Sequence, residues 1–300
     1  MYGNKGTGKD WLEILRPFTW VASIIPIGLG GLFAIQKGVF NWSLFLIIFT
    51  GVILLQGAAN IVNEYFDYKT GVDNKETQRA SMVLVERRIN PEFTYLISRL
   101  IMIIFLISAL FTSWFLGKYG IIIFALIAVA GAYYYTAPPL NLKYRGLGLI
   151  SIFIIFGLIL PQAVYYTFSG AILIELFWLS IPVGVLIGAI LYGNDLRDLK
   201  NETDIFTIAG LLGLKKGIYL YVSMIIIPYI LVIINIFVDV ISIWGLLVFF
   251  TLPLAFNNII TGISGIKNNN KELVNLDQKT ALLHLIFGLL WIISIYNTFE

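Results

Sequence analysis

Cysteine is missing from the 300 residues, which excludes disulfides, thiolate metal sites and cysteine nucleophiles and leaves the redox compartment unreadable. Histidine is nearly missing too: the single His284 lies in an apolar stretch near the end, where it fits a hydrogen bond between helices better than a metal ligand or base. Charge is scarce. Only 12% of residues are charged, against roughly a quarter in soluble globular domains. Hydrophobic residues make up 59% and the mean hydropathy is +0.88. A soluble domain is excluded; this is a polytopic integral membrane protein surrounded by membrane lipids. The net charge of +3 is too small to suggest a nucleic-acid partner, and no protein partner is evident. The first eighteen residues carry Lys5, Lys9, Asp10, Glu13 and Arg16 but no apolar core, so no cleavable signal peptide is expected before the first span.

Apolar runs of spanning length are present in abundance. They fall at about Thr19–Ile35, Phe45–Val62, Leu96–Gly117, Ile121–Tyr135, Gly148–Phe168, Leu176–Tyr192, Gly217–Val238, Ile241–Ile263 and Ala281–Tyr296. The expected fold is therefore all-α, nine transmembrane helices in one membrane domain over residues 1–300. With the amino terminus inside, seventeen of the twenty Lys and Arg residues fall on inside segments; Lys37 and Lys118 fall outside, and Arg99 lies near the start of the third span, placed to snorkel. This alternation puts the carboxyl terminus outside.

Most acidic residues gather on the same inner side, and they do so in a repeated pattern. Residues 63–73 read Asn-Glu-Tyr-Phe-Asp-Tyr-Lys-Thr-Gly-Val-Asp, and residues 194–204 read Asn-Asp-Leu-Arg-Asp-Leu-Lys-Asn-Glu-Thr-Asp, 131 residues later. On a helix, Gln56, Asn60, Asn63 and Asp67 are spaced by four, three and four residues and form one polar stripe. Gly71 is expected to end that helix and to let Asp73 fold back. In the second copy Asn194, Asp198 and Glu202 form a stripe with Asp204 just beyond. Two such stripes supply the hard oxygen ligands that magnesium prefers, its other positions being left to water and substrate phosphate. Solvated helix ends are the plain alternative, and for Gln56 and Asn60 so is bonding between helices. The motifs follow the second and sixth spans, which run in the same direction. The halves, about residues 11–145 and 146–296, are thus expected as parallel repeats around a central cavity open to the cytoplasmic side.

The run Asn60-x-x-Asn63-Glu64-Tyr65-x-Asp67-Tyr68-x-x-Gly71-x-Asp73, with Asn194-x-x-Arg197-Asp198-x-x-x-Glu202, resembles the two aspartate-rich motifs of the UbiA-type intramembrane prenyltransferases. Trp11-Leu12-Glu13-x-x-Arg16-Pro17-x-Thr19 and Tyr135-Thr136-x-x-Pro139 followed by Tyr144-x-Gly146-Leu147-Gly148 are similar to signatures of the branch that prenylates 1,4-dihydroxy-2-naphthoate in menaquinone synthesis. The family's second motif usually ends in Asp where this chain has Glu202, so either Glu202 or Asp204 is the ligand there. Leu149 stands where that branch usually has an acid, and Met82 and Arg87 stand where glycines are common.

The resemblance implies magnesium-dependent transfer of an isoprenoid from a polyprenyl diphosphate to a lipid-soluble aromatic acceptor in a prokaryotic plasma membrane. Asp67, Asp73, Asp198 and Glu202 or Asp204 would then hold the metal, with Asn63 and Asn194 orienting them. Arg79, Lys143 and Arg145 would grip the diphosphate, although each also serves as a topology marker, and Arg197 has the option of pairing with a carboxylate. Tyr135, Tyr65 and Tyr68 are candidates for facing an allylic cation. Other acceptors are compatible with the motifs: a hydroxybenzoate, an archaeal glycerol phosphate lipid, chlorophyllide or haem. A secondary transporter is the rival outside enzymes, but it would favour charges near the bilayer midplane.

Overall fold

The computed structural model describes residues 5–73, 81–199, 206–267 and 271–299. Among these residues β-structure is confined to two isolated bridges, Lys5 with Ile89 and Arg145 with Phe206. A short helix, α1 (Gly8–Leu15), opens the chain, with Thr7 and Asp10 capping each other reciprocally. Arg16 then adopts a left-handed conformation with φ 50°. Proline disfavours the α conformation in the residue before it, so the helix breaks ahead of Pro17. A 3₁₀ turn, Pro17–Trp20, leads into α2 (Val21–Gln36).

The second span, α3 (Trp42–Thr70), is 29 residues long, starts on an Asn41 cap and ends at Gly71 with φ 79°, a conformation that costs glycine nothing. Then come α4 (Pro91–Leu116) and α5 (Gly120–Tyr134). After the connection 135–147 the chain forms α6 (Gly148–Ile152), a π-helical turn at Phe153–Ile159, and α7 (Leu160–Ser169). The rest is α8 (Ile174–Asp198), α9 (Ile208–Phe237), a 3₁₀ stretch leading into α10 (Leu252–Lys267), and α11 (Leu276–Phe299).

Eight helical stretches among the described residues are long and apolar enough to cross a membrane. The expectation of nine differs from this number at one place. The span expected at Ile121–Tyr135 is α5, apolar but only 15 residues long, short of the roughly 20 that a bilayer core requires of an upright helix.

Lipid tails are as apolar as leucine, so the helices are held by close packing and internal hydrogen bonds. The π turn sits where Gly157 meets Gly184 of α8; a Cβ on Gly157 would lie 2.6 Å from the Gly184 Cα. Two buried clusters result. One joins α2 and α7 to α8, α9 and α11, and the other joins α1 and α3 to the segment 83–89 and α4. The smaller cluster carries a polar fastening, in which Arg88 bonds Asp10 at 2.7 Å and Glu13 at 2.7 and 2.8 Å. On the outside, Ile104, Ile107, Phe111, Trp114 and Phe115 of α4 are each more than 60% exposed, as lipid-facing side chains are.

Candidate active site

Between the helices lies a cavity of about 310 Å³. Its body is apolar, walled by residues such as Val52, Leu55, Phe105, Phe124, Phe156 and Ile187. The ends of α3 and α8 and the start of α11 bring Asn63, Asp67, Asn194, Arg197, Asp198 and Asp277 to one end of it, with Lys143 from the 135–147 connection and Arg16 from the break before α2.

Asp67 is 2% exposed and accepts two hydrogen bonds from Lys143 Nζ, at 2.8 and 3.1 Å, and one from the Tyr144 hydroxyl. Both donors stand on one 3₁₀ turn, Leu142–Tyr144, entered through a left-handed Asn141 and tied back by the Lys143 N–H to the Tyr135 carbonyl at 2.8 Å. Burial, and then the negative charge of Asp67 beside it, push the Tyr144 pKa well above its ordinary value, so this phenol remains a donor. Asp73 is also buried, and its backbone N–H reaches back to the Asp67 carbonyl at 3.0 Å across the Gly71 turn.

The other acidic corner is built differently. Arg197 donates from Nε and Nη2 to the two oxygens of Asp198, at 2.9 and 3.0 Å, from Nη2 also to Asn194 Oδ1, and from Nη1 to Asp277 Oδ2 at 2.6 Å. A planar fork of five N–H donors is suited to such sharing.

A third wall is polar but neutral. Ser23 donates to Gln56 at 2.6 Å, and Gln56 and Asn60 donate to the carbonyls of Thr19 and Leu15 at 2.9 and 2.8 Å. The two amides therefore satisfy backbone at the break before α2, and both also line the cavity. His284 bonds the Val21 carbonyl at 3.1 Å, joining α11 to α2. Arg16 has a loose ionic contact with Glu64 at 3.7 Å, and its Nε is buried without a hydrogen-bond partner, as is Asn63 Oδ1.

Of the residues singled out in the sequence, Asn63, Asp67, Tyr135, Lys143, Asn194 and Asp198 line this one cavity. Arg145 does not; it turns outward and donates to the Pro139 carbonyl at 2.9 Å. Asp73, Tyr65 and Tyr68 are not among the lining residues either, Tyr65 being stacked on Tyr95 with ring centroids 4.3 Å apart. Arg79, Glu202 and Asp204 lie outside the described residues. Asp277, Tyr144 and Arg16 were not picked out as site residues by sequence reasoning. For Tyr144 a signal existed in its place beside Lys143, whereas Asp277 is a lone acid at the head of the last span.

Among the described residues no three acidic or histidine side chains form a ready-made metal cage. The donor set nonetheless suits magnesium, which takes one or two carboxylates and leaves its other positions to water and phosphate. Asn63 Oδ1 offers a buried oxygen with its lone pairs unused. The carboxylates of Asp67 and Asp198 are oxygen donors of the hard kind that magnesium takes.

A model of the UbiA prenyltransferase family matches residues 23–275. The chain is 29% identical over 297 residues to the UbiA prenyltransferase domain-containing protein 1 of Mus musculus, covering 95% of this chain and 83% of that protein. It is 26% identical over 294 residues to the 1,4-dihydroxy-2-naphthoate octaprenyltransferase of Bacillus subtilis (strain 168), covering 94% and 91%. Among solved structures, a UbiA homolog from Aeropyrum pernix K1 superposes with a TM-score of 0.66 at 14% identity, covering 94% of this chain and 98% of that one. The UbiA homolog from Archaeoglobus fulgidus bound to GPP and Mg2+ gives 0.61 at 16% identity, covering 95% and 99%.

Proposed function

Because the chain belongs to the UbiA prenyltransferase family, we propose that it moves an isoprenoid chain from a polyprenyl diphosphate to an aromatic acceptor, 1,4-dihydroxy-2-naphthoate or a similar quinone precursor. The observation that carries this reading is that Asp67 with Lys143 and Asp198 with Arg197 line one cavity whose body is mainly apolar. A charged head and a greasy tail on one substrate require that division.

In the reaction the allylic carbon–oxygen bond breaks and its electron pair leaves with the diphosphate. A bond to an aromatic ring carbon forms, and that carbon loses a proton, or a carboxylate as carbon dioxide, whose bonding pair stays behind to restore the ring. Negative charge grows on the leaving group, so cations aimed at it favour the transition state over the ground state. Asp67, Asp73 and Asp198, with Glu202 or Asp204 and with Asn63 and Asn194 beside them, would hold magnesium, which supplies that stabilisation as a Lewis acid. Lys143, Arg197 and Arg16 stand where phosphate oxygens would come, and Arg79 stays a candidate for the same task. Tyr135, which lines the cavity, is the candidate to stabilise the allylic cation with its ring, and the apolar walls would keep water from that cation. The neutral wall of Ser23, Gln56 and Asn60 suits the acceptor.

The basic connections support a charged mouth on the cytoplasmic side with the amino terminus inside; a carboxyl terminus outside, and acidic motifs in parallel halves, require the short α5 to cross as well. A quinone pathway would place the protein in a prokaryotic plasma membrane. The likeness to the Mus musculus protein, at 29% identity beside 26% for the Bacillus subtilis enzyme, supports a second reading in which another aromatic acceptor is prenylated.

Purified protein incubated with geranylgeranyl diphosphate, magnesium and a panel of acceptors, including 1,4-dihydroxy-2-naphthoate and 4-hydroxybenzoate, tests both. Magnesium-dependent diphosphate release with a prenylated naphthoate in the mass spectrum is expected. Release only with another acceptor moves the assignment to the second reading, and no release with any acceptor overturns both.

A further inference from the structure

We propose that Asp277 is a positioning residue: it draws off part of the hold that Arg197 has on Asp198, leaving that carboxylate able to accept a divalent cation. The inference rests on the functional reading above and adds to it a residue from outside both acidic motifs.

Three observations carry it. First, the guanidinium is shared. Its Nη1 goes to Asp277 at 2.6 Å, shorter than the 2.9 and 3.0 Å bonds to Asp198. Second, the sharing is built into the packing. Asp277 is 2% exposed on the first turn of α11, its other oxygen takes the Gln278 N–H at 2.9 Å, and Gly193 of α8 lies against its backbone, where a Cβ would sit 3.4 Å from the Asp277 nitrogen. Gly193 and Asp277 thus mark where α8 and α11 touch, one turn before Arg197 on α8. Third, Asp277 changes the charge of the group it forms with Arg197 and Asp198. Arg197 with Asp198 alone is a neutral, bidentate pair, a poor host for a dication. With Asp277 added the group carries a net negative charge, and the guanidinium can turn towards Asp277 without being left buried and unpaired, which would be costly.

Removing the acid should therefore weaken metal binding rather than chemistry. The probe is Mn2+, followed by electron paramagnetic resonance in the presence of a geranylgeranyl thiolodiphosphate. In Asp277→Asn, Mn2+ affinity should fall about tenfold, the range seen when outer-shell partners of metal ligands are lost. The magnesium needed for half-maximal diphosphate release should rise by the same factor, with kcat at saturating magnesium little changed. Asp277→Glu should restore the wild-type titration. If the asparagine variant does not fold, as judged by thermal unfolding, Asp277→Ser is read in its place. An Mn2+ titration that matches wild type overturns the proposal. So does turnover lost at every magnesium concentration in a folded variant, which would make Asp277 a ligand itself. Wild-type protein that releases no diphosphate strikes the functional reading instead, so the two failures are told apart.

Discussion

Asp67 receives its cation from far along the chain, whereas Asp198 receives its cation from the next residue. Lys143 and Tyr144 reach Asp67 from the 135–147 connection, so that corner exists only when the connection is folded against α3. Arg197 already stands on α8 beside Asp198 and has to be shared outward, to Asp277 of α11. The compact charge of Lys143 goes to Asp67, while the guanidinium fork of Arg197 is spread over two carboxylates. Two copies of one sequence motif have thus been completed by different partners: the first by a connecting segment, the second by a junction between packed helices.

Variants can break this comparison at four levels. The carboxylates come first. Asp67→Asn and Asp198→Asn should each lower diphosphate release by about a thousandfold at saturating magnesium, since each removes a charge on which the transition state relies; a variant with wild-type rates would remove its corner from the mechanism. The cations come next. Lys143→Met should cost about a hundredfold in kcat, and Arg197→Met should lower the unfolding temperature more than Lys143→Met does. Without Arg197, the buried acids Asp198 and Asp277 both lose the guanidinium they share, whereas Asp67 without Lys143 still has Tyr144. Equal unfolding temperatures would mean that the two corners are alike after all. Third, Tyr144→Phe should cost about tenfold in activity, the worth of one hydrogen bond to a charged group. Because burial and Asp67 keep the phenol protonated past its ordinary value, wild type and Tyr144→Phe should share the same pH–rate profile up to about pH 10. An alkaline limb present in wild type and absent from the variant would show a titrating phenol instead. Smallest is Arg88→Ala, which loosens the fastening of α1 to the segment before α4. It should lower the unfolding temperature by about 3 °C with turnover changed less than about twofold, because a partly exposed ion pair contributes little. A tenfold loss of turnover would place that fastening in the mechanism.

What could be read from the sequence was periodic. The stripe Gln56, Asn60, Asn63 and Asp67 follows from helical spacing, and all four residues line the cavity. The fold class followed from apolar runs of spanning length, and the shortfall at α5 came from a run that is apolar enough but too short. Contacts between distant parts of the chain have no such periodicity. Nothing near Asp277 announces that α11 begins against Gly193, and Arg16 becomes a cavity residue only because the helix breaks at Pro17. Gln56 and Asn60 show a further limit: the sequence marks them as polar groups in a span, but their carbonyl partners become visible only once the backbone of that break is seen.

The central claim is that both corners act together on one diphosphate through magnesium. The most direct test is calorimetric titration of geranylgeranyl thiolodiphosphate into wild type, Asp67→Asn and Asp198→Asn, each with and without Mg2+. The account predicts tight, magnesium-dependent binding in wild type and loss of the magnesium-dependent part in both variants. Magnesium-dependent binding that survives intact in either variant would contradict it.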